Sequence, residues 1–304
     1  MRVLITGSNG LLGQKLIKLL WDRKDVEFLA TSGGENRVFQ YKFNYRSLDI
    51  TDEKAVSNIV NGFQPDVVIN TAAMTNVDAC EEDRVNCWKI NVDAVQYLLN
   101  ACEKIGAKLI HLSTDFVFDG EDGPYSEEDQ PHPLSYYGES KFASEQLLIN
   151  SKYTNWAIAR TIIVYGTGEN MSRSNIVLWA KGALEEGKEL TIVDDQFRSP
   201  TWADDLAMGC WLIAEKDASG IFHLSGKDFM SILELVRRVA VFYNLDASKV
   251  TPIKSDTLNQ AAKRPPVTGF VLDKAIRELE YSPLSFEEGL AQLKEELTKR
   301  EHSI

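Results

Sequence analysis

A glycine-spaced turn between a buried strand and a helix constrains this chain more than any other feature. Gly7, Gly10 and Gly13 stand in G-x-x-G-x-x-G spacing, with the apolar run Val3 to Thr6 before them and an amphipathic segment, Leu11 to Leu20, after them. Glycine lets the backbone approach a ligand closely, and a helix start offers free N–H donors and a partial positive charge. Such a turn suits a pyrophosphate. A glycine turn with no ligand is the plainer alternative, but its place after the first strand of a βαβ unit favours a dinucleotide. The contacts are then Gly7, Asn9, Gly10, Leu11, Leu12 and Gly13.

The same alternation continues through the first half. Strand-like runs fall at Glu27 to Thr31, Leu48 to Ile50, Asp66 to Asn70, Lys108 to Ser113 and Trp156 to Thr161. Helical patterns fall at Asp52 to Phe63, with Asp52 suited to its start, and at Asn86 to Ile105 and Ser140 to Ile149. Apolar strands separated by helices predict an α/β fold, a Rossmann-type doubly wound parallel sheet with right-handed crossovers. Beyond residue 166 the regularity weakens. Helices are expected at Asn175 to Glu186, Asp204 to Glu215, Ser231 to Tyr243 and Phe286 to Leu297, with a strand at Leu190 to Val193. The expected division is a dinucleotide-binding domain over 1–166 and a smaller mixed α/β substrate-binding lobe over 167–304. Part of 191–226 returns to the first domain, and the polar tail from Thr298 to Ile304 frays.

Cofactor choice turns on the end of the second strand, where an acidic residue would hydrogen-bond the ribose 2′-hydroxyl of NAD. Here the strand runs out through Ala30, Thr31, Ser32, Gly33 and Gly34, with no carboxylate before Glu35. Ser32 and Arg37 can meet a 2′-phosphate, which favours NADP(H) while NAD(H) still fits. Asp49 and Ile50 can line the adenine, or Asp49 can simply enter the next helix.

Composition narrows the partners. The 304 residues carry a net charge of −12, which argues against nucleic-acid binding. No apolar run approaches the ~20 residues of a membrane span. The chain opens on a strand-like run with no basic leader, so no signal peptide is expected. Four cysteines, none in C-x-x-C spacing, and scattered histidines predict no metal site or disulfide framework, and a cytoplasmic location. The carboxylate run Glu127 to Asp129 is expected to be solvated. Trp88, Trp179 and Trp211 are expected in the core or an interface, and His111 in the core.

Tyr137 and Lys141 lie four residues apart, on one face if helical. A free tyrosine has a pKa near ~10, too high for easy proton exchange at neutral pH. A nearby cation lowers it, and an ammonium also suits a nicotinamide ribose. Alone the spacing is weak; its place after the fifth strand strengthens it. Ser113, Thr114 and Asp115 follow that strand, where ligands of open α/β sheets sit. Thr114 can hydrogen-bond a substrate oxygen and Asp115 a hydroxyl, though a turn or cap would use the same residues.

With these motifs in place, the chain resembles the extended short-chain dehydrogenase/reductase family, and within it the dTDP-4-dehydrorhamnose reductases. The matching segments span nearly the whole chain: TGSNGLLGQ from Thr6, LDITD from Leu48, NTAAMTNVDACE from Asn70, KINVDAV from Lys89 and STDFVFDG from Ser113. YYGESK from Tyr136, RTIIVYG from Arg160, VDDQFRSPTWADDLA from Val193 and Arg264-Pro265 complete them. The resemblance implies that Thr114, Tyr137 and Lys141 reduce the C4 keto group of a nucleotide-linked 6-deoxy sugar with NAD(P)H. It implies that Ala72 and Ala73 pack along the cofactor. Thr75, Val77 and Asp115 then face the sugar, and Arg264 meets its diphosphate. It also implies frequent pairing as homodimers.

Two positions depart from the family pattern. Ile163 stands where the family carries a tryptophan bordering the sugar, and Arg198 where it favours Gly or Ala. Both are expected on the substrate side, so the sugar's identity stays open. Two other functions use the same framework. One is sugar-nucleotide epimerisation or dehydration. The other is a non-catalytic role like that of the regulatory beta subunit of methionine adenosyltransferase, which is similar to these reductases.

Overall fold

Seven strands, all parallel, form the central sheet: β1 (Arg2–Thr6), β2 (Glu27–Ser32), β3 (Asn44–Ser47), β4 (Val67–Asn70), β5 (Lys108–Thr114), β6 (Trp156–Thr161) and the edge strand Gly220–His223. In space they run Gly220–His223, β6, β5, β4, β1, β2, β3. The computed structural model describes residues 1–301. Among the described residues no helix is long and apolar enough to cross a membrane.

The inner strands β1, β4, β5 and β6 are buried on both faces, which is why they read as continuous apolar runs. Val3 and Ile5 of β1 face a cluster containing Leu16, Ile17 and Leu20 of α1 (Leu11–Trp21) and Leu206, Cys210 and Trp211 of α8 (Ala203–Glu215). Leu4 between them faces the other side. There it meets Val56 and Val60 of α2 (Glu53–Phe63), Val95, Leu98 and Leu99 of α5 (Ala94–Ile105), and Leu148 of α6 (Tyr136–Ile149). Each such aliphatic side chain contributes about 1.5–3 kcal/mol on burial.

A separate apolar cluster holds the later helices together. Val177 and Ala180 of α7 (Ile176–Glu185), Leu235, Val236 and Val239 of α9 (Ile232–Tyr243), and Leu290 and Leu293 of α10 (Phe286–Glu301) pack with Leu190 and Ile192. Leu190–Val193 pairs in parallel with Val250–Ile253.

Several elements differ from the sequence expectation. The third strand is Asn44–Ser47, not Leu48 to Ile50. Its sequence has no apolar run, and pairing with β2 defines it. Helix α6 begins at Tyr136 rather than Ser140, because Ser135 caps it by accepting from the Gly138 N–H at 3.2 Å. Two short helices, α3 (Val77–Glu82) and α4 (Arg84–Trp88), were not visible in the pattern. A π-helical turn over Lys89–Asp93 interrupts the expected long helix. In the carboxylate run Glu128 and Asp129 are exposed as expected, while Glu127 is half-buried and accepts the His223 N–H at 2.9 Å. Of the tryptophans expected in the core or an interface, Trp211 is core, while Trp88 and Trp179 are exposed on this chain. The polar tail is helical through Glu301, and its last three residues lie outside the described ones.

Candidate active site

The strand order reverses between β1 and β4, and the site gathers at the carboxyl ends of these strands. Gly7 closes β1 at φ +69°; a Cβ there would lie 2.6 Å from the Ala72 nitrogen. At Gly13 a Cβ would lie 2.5 Å from the Gly7 carbonyl, so only glycine lets α1 start this close to the loop. Gly10 is the N-cap of α1 and brings no side-chain cap, leaving the Leu11, Leu12 and Gly13 end open.

Asn9 joins this loop to the next one. Its side chain donates to the Glu35 carbonyl at 2.9 Å and accepts the Arg37 N–H at 3.0 Å. Ser32 ends β2 and Arg37 is exposed just beyond it. Ala72 and Ala73 are half-buried after β4. Asp49 is exposed and turns its carboxylate onto Thr51, 2.9 Å from its N–H and 2.7 Å from its hydroxyl. Ile50 is buried in the core cluster. Asp49, expected to line an adenine, is exposed and also shapes the entry to α2, while Ile50 packs against the core beside it.

Thr114 ends β5, and Tyr137 and Lys141 lie on α6. The Thr114 hydroxyl lies near the Tyr137 phenol. Burial, with the Asp115 charge adding to it, holds the Tyr137 phenol well above its ordinary value; the Thr114 hydroxyl opposes this. Lys141 is 2% exposed and donates to the Leu112 carbonyl at 2.6 Å. Burial lowers its ammonium to about 8, against the pull of Glu145 and Cys87. The expected lowering of Tyr137 by a cation is therefore corrected: desolvation dominates.

A directional polar chain backs the lysine. Thr6 donates to Asn70 at 2.6 Å, and the Asn70 amide meets His111 Nδ1 at 3.1 Å. His111 Nε2 lies 2.9 Å from Ser144 Oγ and 3.1 Å from Lys141 Nζ. His111 is buried as expected, but in a polar setting rather than an apolar one.

Two expected substrate contacts lie inside the protein instead. Asp115 and Arg198 are each 2% exposed, with Arg198 Nε 3.4 Å from the Asp115 carboxylate. Arg198 also donates to the carbonyls of Phe197 at 2.7 Å, Pro266 at 3.0 Å and Pro265 at 2.5 Å. Asp115 accepts from Thr114 at 3.1 Å and Thr268 at 2.5 Å, and burial raises its carboxyl. Together they anchor Thr114 to the loop after Arg264. Arg264, expected to meet a diphosphate, is half-buried and donates to Asp78 at 2.6 Å, which holds the Asp78 carboxyl below its usual range. Ile163 sits half-buried at φ +33°, a strained conformation for a β-branched residue, and its carbonyl accepts from Thr201 at 3.1 Å.

Thr75 is exposed just before α3, and Val77 opens that helix half-buried against the Tyr137 cluster. The sequence reading missed two residues here. Ser8, inside the glycine loop, is 1% exposed and its hydroxyl has no hydrogen-bond partner among the described residues. Arg173 reaches Thr75 Oγ1 from a segment that also ties Glu169 to Gln14 at 2.7 Å and Asn170 to the Arg37 carbonyl at 3.0 Å. That strap runs from the glycine loop to Thr75. Only its contacts reveal it, since its sequence carries no motif.

The comparisons with known proteins agree with this geometry. The chain is 35% identical over 257 residues to dTDP-4-dehydrorhamnose reductase of Aggregatibacter actinomycetemcomitans, covering 82% of this chain and 81% of that one. It is 34% identical over 269 residues to methionine adenosyltransferase 2 subunit beta of Danio rerio, covering 87% and 80%. The solved structure of dTDP-4-dehydrorhamnose reductase from Bacillus anthracis, in complex with NADP, superposes with a TM-score of 0.81 at 28% identity, covering 97% and 99%. The family described as RmlD substrate binding domain matches residues 1–299, and this chain belongs to it.

Proposed function

We propose that this chain is an NADPH-dependent reductase of the C4 keto group of a nucleotide-linked 6-deoxy sugar, dTDP-4-dehydrorhamnose being the first substrate to test. The observation that carries this reading is the set Thr114, Tyr137 and Lys141, buried together beside an open glycine loop. The loop suits a dinucleotide: Gly7 and Gly13 leave no room for a Cβ, α1 lacks a side-chain cap, and the Ser8 hydroxyl is buried without a partner. Gly7, Ser8, Gly10 and Gly13 hold the pyrophosphate, Ala72 and Ala73 flank the cofactor, and Lys141 holds the nicotinamide ribose. Ser32 and Arg37 favour a 2′-phosphate. The bound cofactor supplies hydride to C4.

The chain's own residues supply the rest. Tyr137 donates its proton to the C4 oxygen; like any tyrosine it is a phenol at neutral pH, and the strongly basic alkoxide developing at C4 takes the proton. Thr114 hydrogen-bonds the same oxygen and is kept in place by Asp115. Thr75, Val77 and Arg173 meet the sugar nucleotide. The test is NADPH and NADH oxidation with the keto sugar, with Tyr137→Phe as control. Wild type turns over, and the variant loses roughly 10²–10⁴ in rate, the usual weight of a positioned proton donor. A Tyr137→Phe variant as fast as wild type overturns the mechanism.

The similarity to a protein named methionine adenosyltransferase 2 subunit beta favours a second reading, a dinucleotide-binding subunit of another enzyme. Stoichiometric capture of such an enzyme, unaffected by Tyr137→Phe and without oxidation of NADPH on a panel of keto sugars, would establish it.

A further inference from the structure

Two thiols meet directly behind Tyr137. Cys80 comes from α3 and Cys87 from α4; both are fully buried, and the two side chains share one buried cluster. With Tyr137 they form one buried cluster, covered by Met74, Val77, Phe116 and Tyr136. Cys80 Sγ lies 3.6 Å from the Met74 carbonyl. Cys87 Sγ lies 3.4 Å from Ser140 Oγ and 3.5 Å from Asn91 Nδ2. The same Asn91 amide donates to Met74 at 3.0 Å, so the π-helical turn, α3, α4 and α6 all converge on the pair.

The two sulfurs are not equivalent. The Cys80 thiol beside it, the Ser140 and Asn91 contacts and the Lys141 charge lower the Cys87 thiol, while Cys80 is raised in exchange. A thiolate beside a neutral thiol is the arrangement that thiol oxidation uses. The other two cysteines differ. Cys102 and Cys210 sit apart in different core clusters, and burial pushes each thiol up to about 12.

We propose that Cys80 and Cys87 are a modification site, where a small hydroperoxide forms a reversible disulfide in the wall of the Tyr137 pocket. The Cys87 thiolate sulfur attacks the terminal peroxide oxygen, the O–O bond breaks, and the hydroxide (or alkoxide) that leaves takes a proton to become water (or an alcohol). The resulting sulfenic acid is attacked by the Cys80 sulfur; its S–O bond breaks and the hydroxyl departs as water with the Cys80 proton. Two thiols are oxidised, one peroxide is reduced, and an external dithiol reverses the step by exchange. Access requires local opening, and the elements involved suit it: helices of 6 and 5 residues followed by a π-helical turn. An S–S bond of about 2 Å draws α3 towards α4 and shifts Met74 to Val77. Disulfide formation stands apart from the reductase reading; only its effect on turnover rests on it.

The experiment uses the whole chain with hydrogen peroxide near neutral pH, followed by alkylation and tryptic mapping. Arg84 lies between the two cysteines, so trypsin leaves them on separate peptides that only a disulfide joins. The expected result is a Cys80–Cys87 linked peptide pair, lost with dithiothreitol and absent in Cys87→Ser and Cys80→Ser. Trp88 fluorescence follows the same time course in wild type and stays constant in Cys87→Ser. NADPH turnover falls by about tenfold or more and recovers on reduction, since small displacements at a site are that costly. Over-oxidised single cysteines without a link, prior oxidation of Cys102 or Cys210, or linkage only in urea would each overturn the proposal. A protein inactive before oxidation speaks against the reductase reading alone, because the peptide map still decides the disulfide.

Discussion

Lys141 is a charge the fold holds at a cost, and replacing it with methionine measures that cost. Its ammonium is 2% exposed, and burial takes it from an ordinary 10.5 to about 8. A depression of that size opposes the charged form by about 3 kcal/mol. For a lysine lowered in the folded state, the unfolded chain binds more protons between pH 8 and 10.5, so wild-type stability rises with pH across that window. Below pH 8 both states are charged and the full penalty is present. Lys141→Met removes the titration but also removes the donor to the Leu112 carbonyl, worth about 1–3 kcal/mol. At pH 7 the variant is therefore no less stable than wild type, within about 1 kcal/mol, or more stable by up to about 2 kcal/mol. The gap then moves by about 3 kcal/mol in favour of wild type by pH 10.5. Urea unfolding at several pH values without cofactor gives the difference directly, and the buried tyrosines cancel because both proteins carry them. A gap independent of pH, or one moving the other way, refutes the reasoning.

Arg160 meets Glu145 through two short bonds, 2.9 and 2.7 Å, at a site closed to solvent. Arg160→Met strands that carboxylate and should lose about 3–5 kcal/mol in denaturant unfolding, most of it regained in the double variant with Glu145→Leu. Gly13→Val places a Cβ against the Gly7 carbonyl; the dissociation constant for the dinucleotide should rise at least about tenfold by calorimetry, with the circular dichroism of the fold kept. Arg173→Ala should raise KM for the sugar nucleotide with kcat little changed, as for a contact made equally in ground and transition states; an unchanged KM removes Arg173 from the site.

What the sequence made legible was set by local chemistry. The glycine loop follows from the space a Cβ would occupy, and the Tyr137–Lys141 pairing from helix period. The buried strands follow from burial on two faces. The rest depended on partners distant in sequence. Nothing in Asn44–Ser47 marks a strand until β2 offers it hydrogen bonds. Arg198 reads as a free cation, yet its donors go to carbonyls 67 and 68 residues away. Arg264 looks available until Asp78, 186 residues earlier, takes it. Ser8 sits in plain view in the glycine loop, but its significance comes from burial without a partner. The strap from Gln14 through Asn170 to Thr75 has no pattern at all, because contacts rather than periodicity define it.

The balance between the two functional readings rests on what each buried polar group is for. Holding a dinucleotide needs the glycine loop, the open end of α1 and a groove beyond β2. It does not need a buried ammonium lowered to about 8, a phenol buried beside a threonine hydroxyl, or a carboxylate sealed in to fix one threonine. Each of these lowers stability, since an apolar side chain of similar volume fills such a space at less cost. They stand on two adjacent elements, β5 and α6, and converge on one face of the cleft. Polar groups placed against the interest of stability, and converging, are expected where bonds change rather than where a ligand is merely held. By that argument the dinucleotide groove is common to both readings. The Thr114, Tyr137 and Lys141 wall weighs towards chemistry.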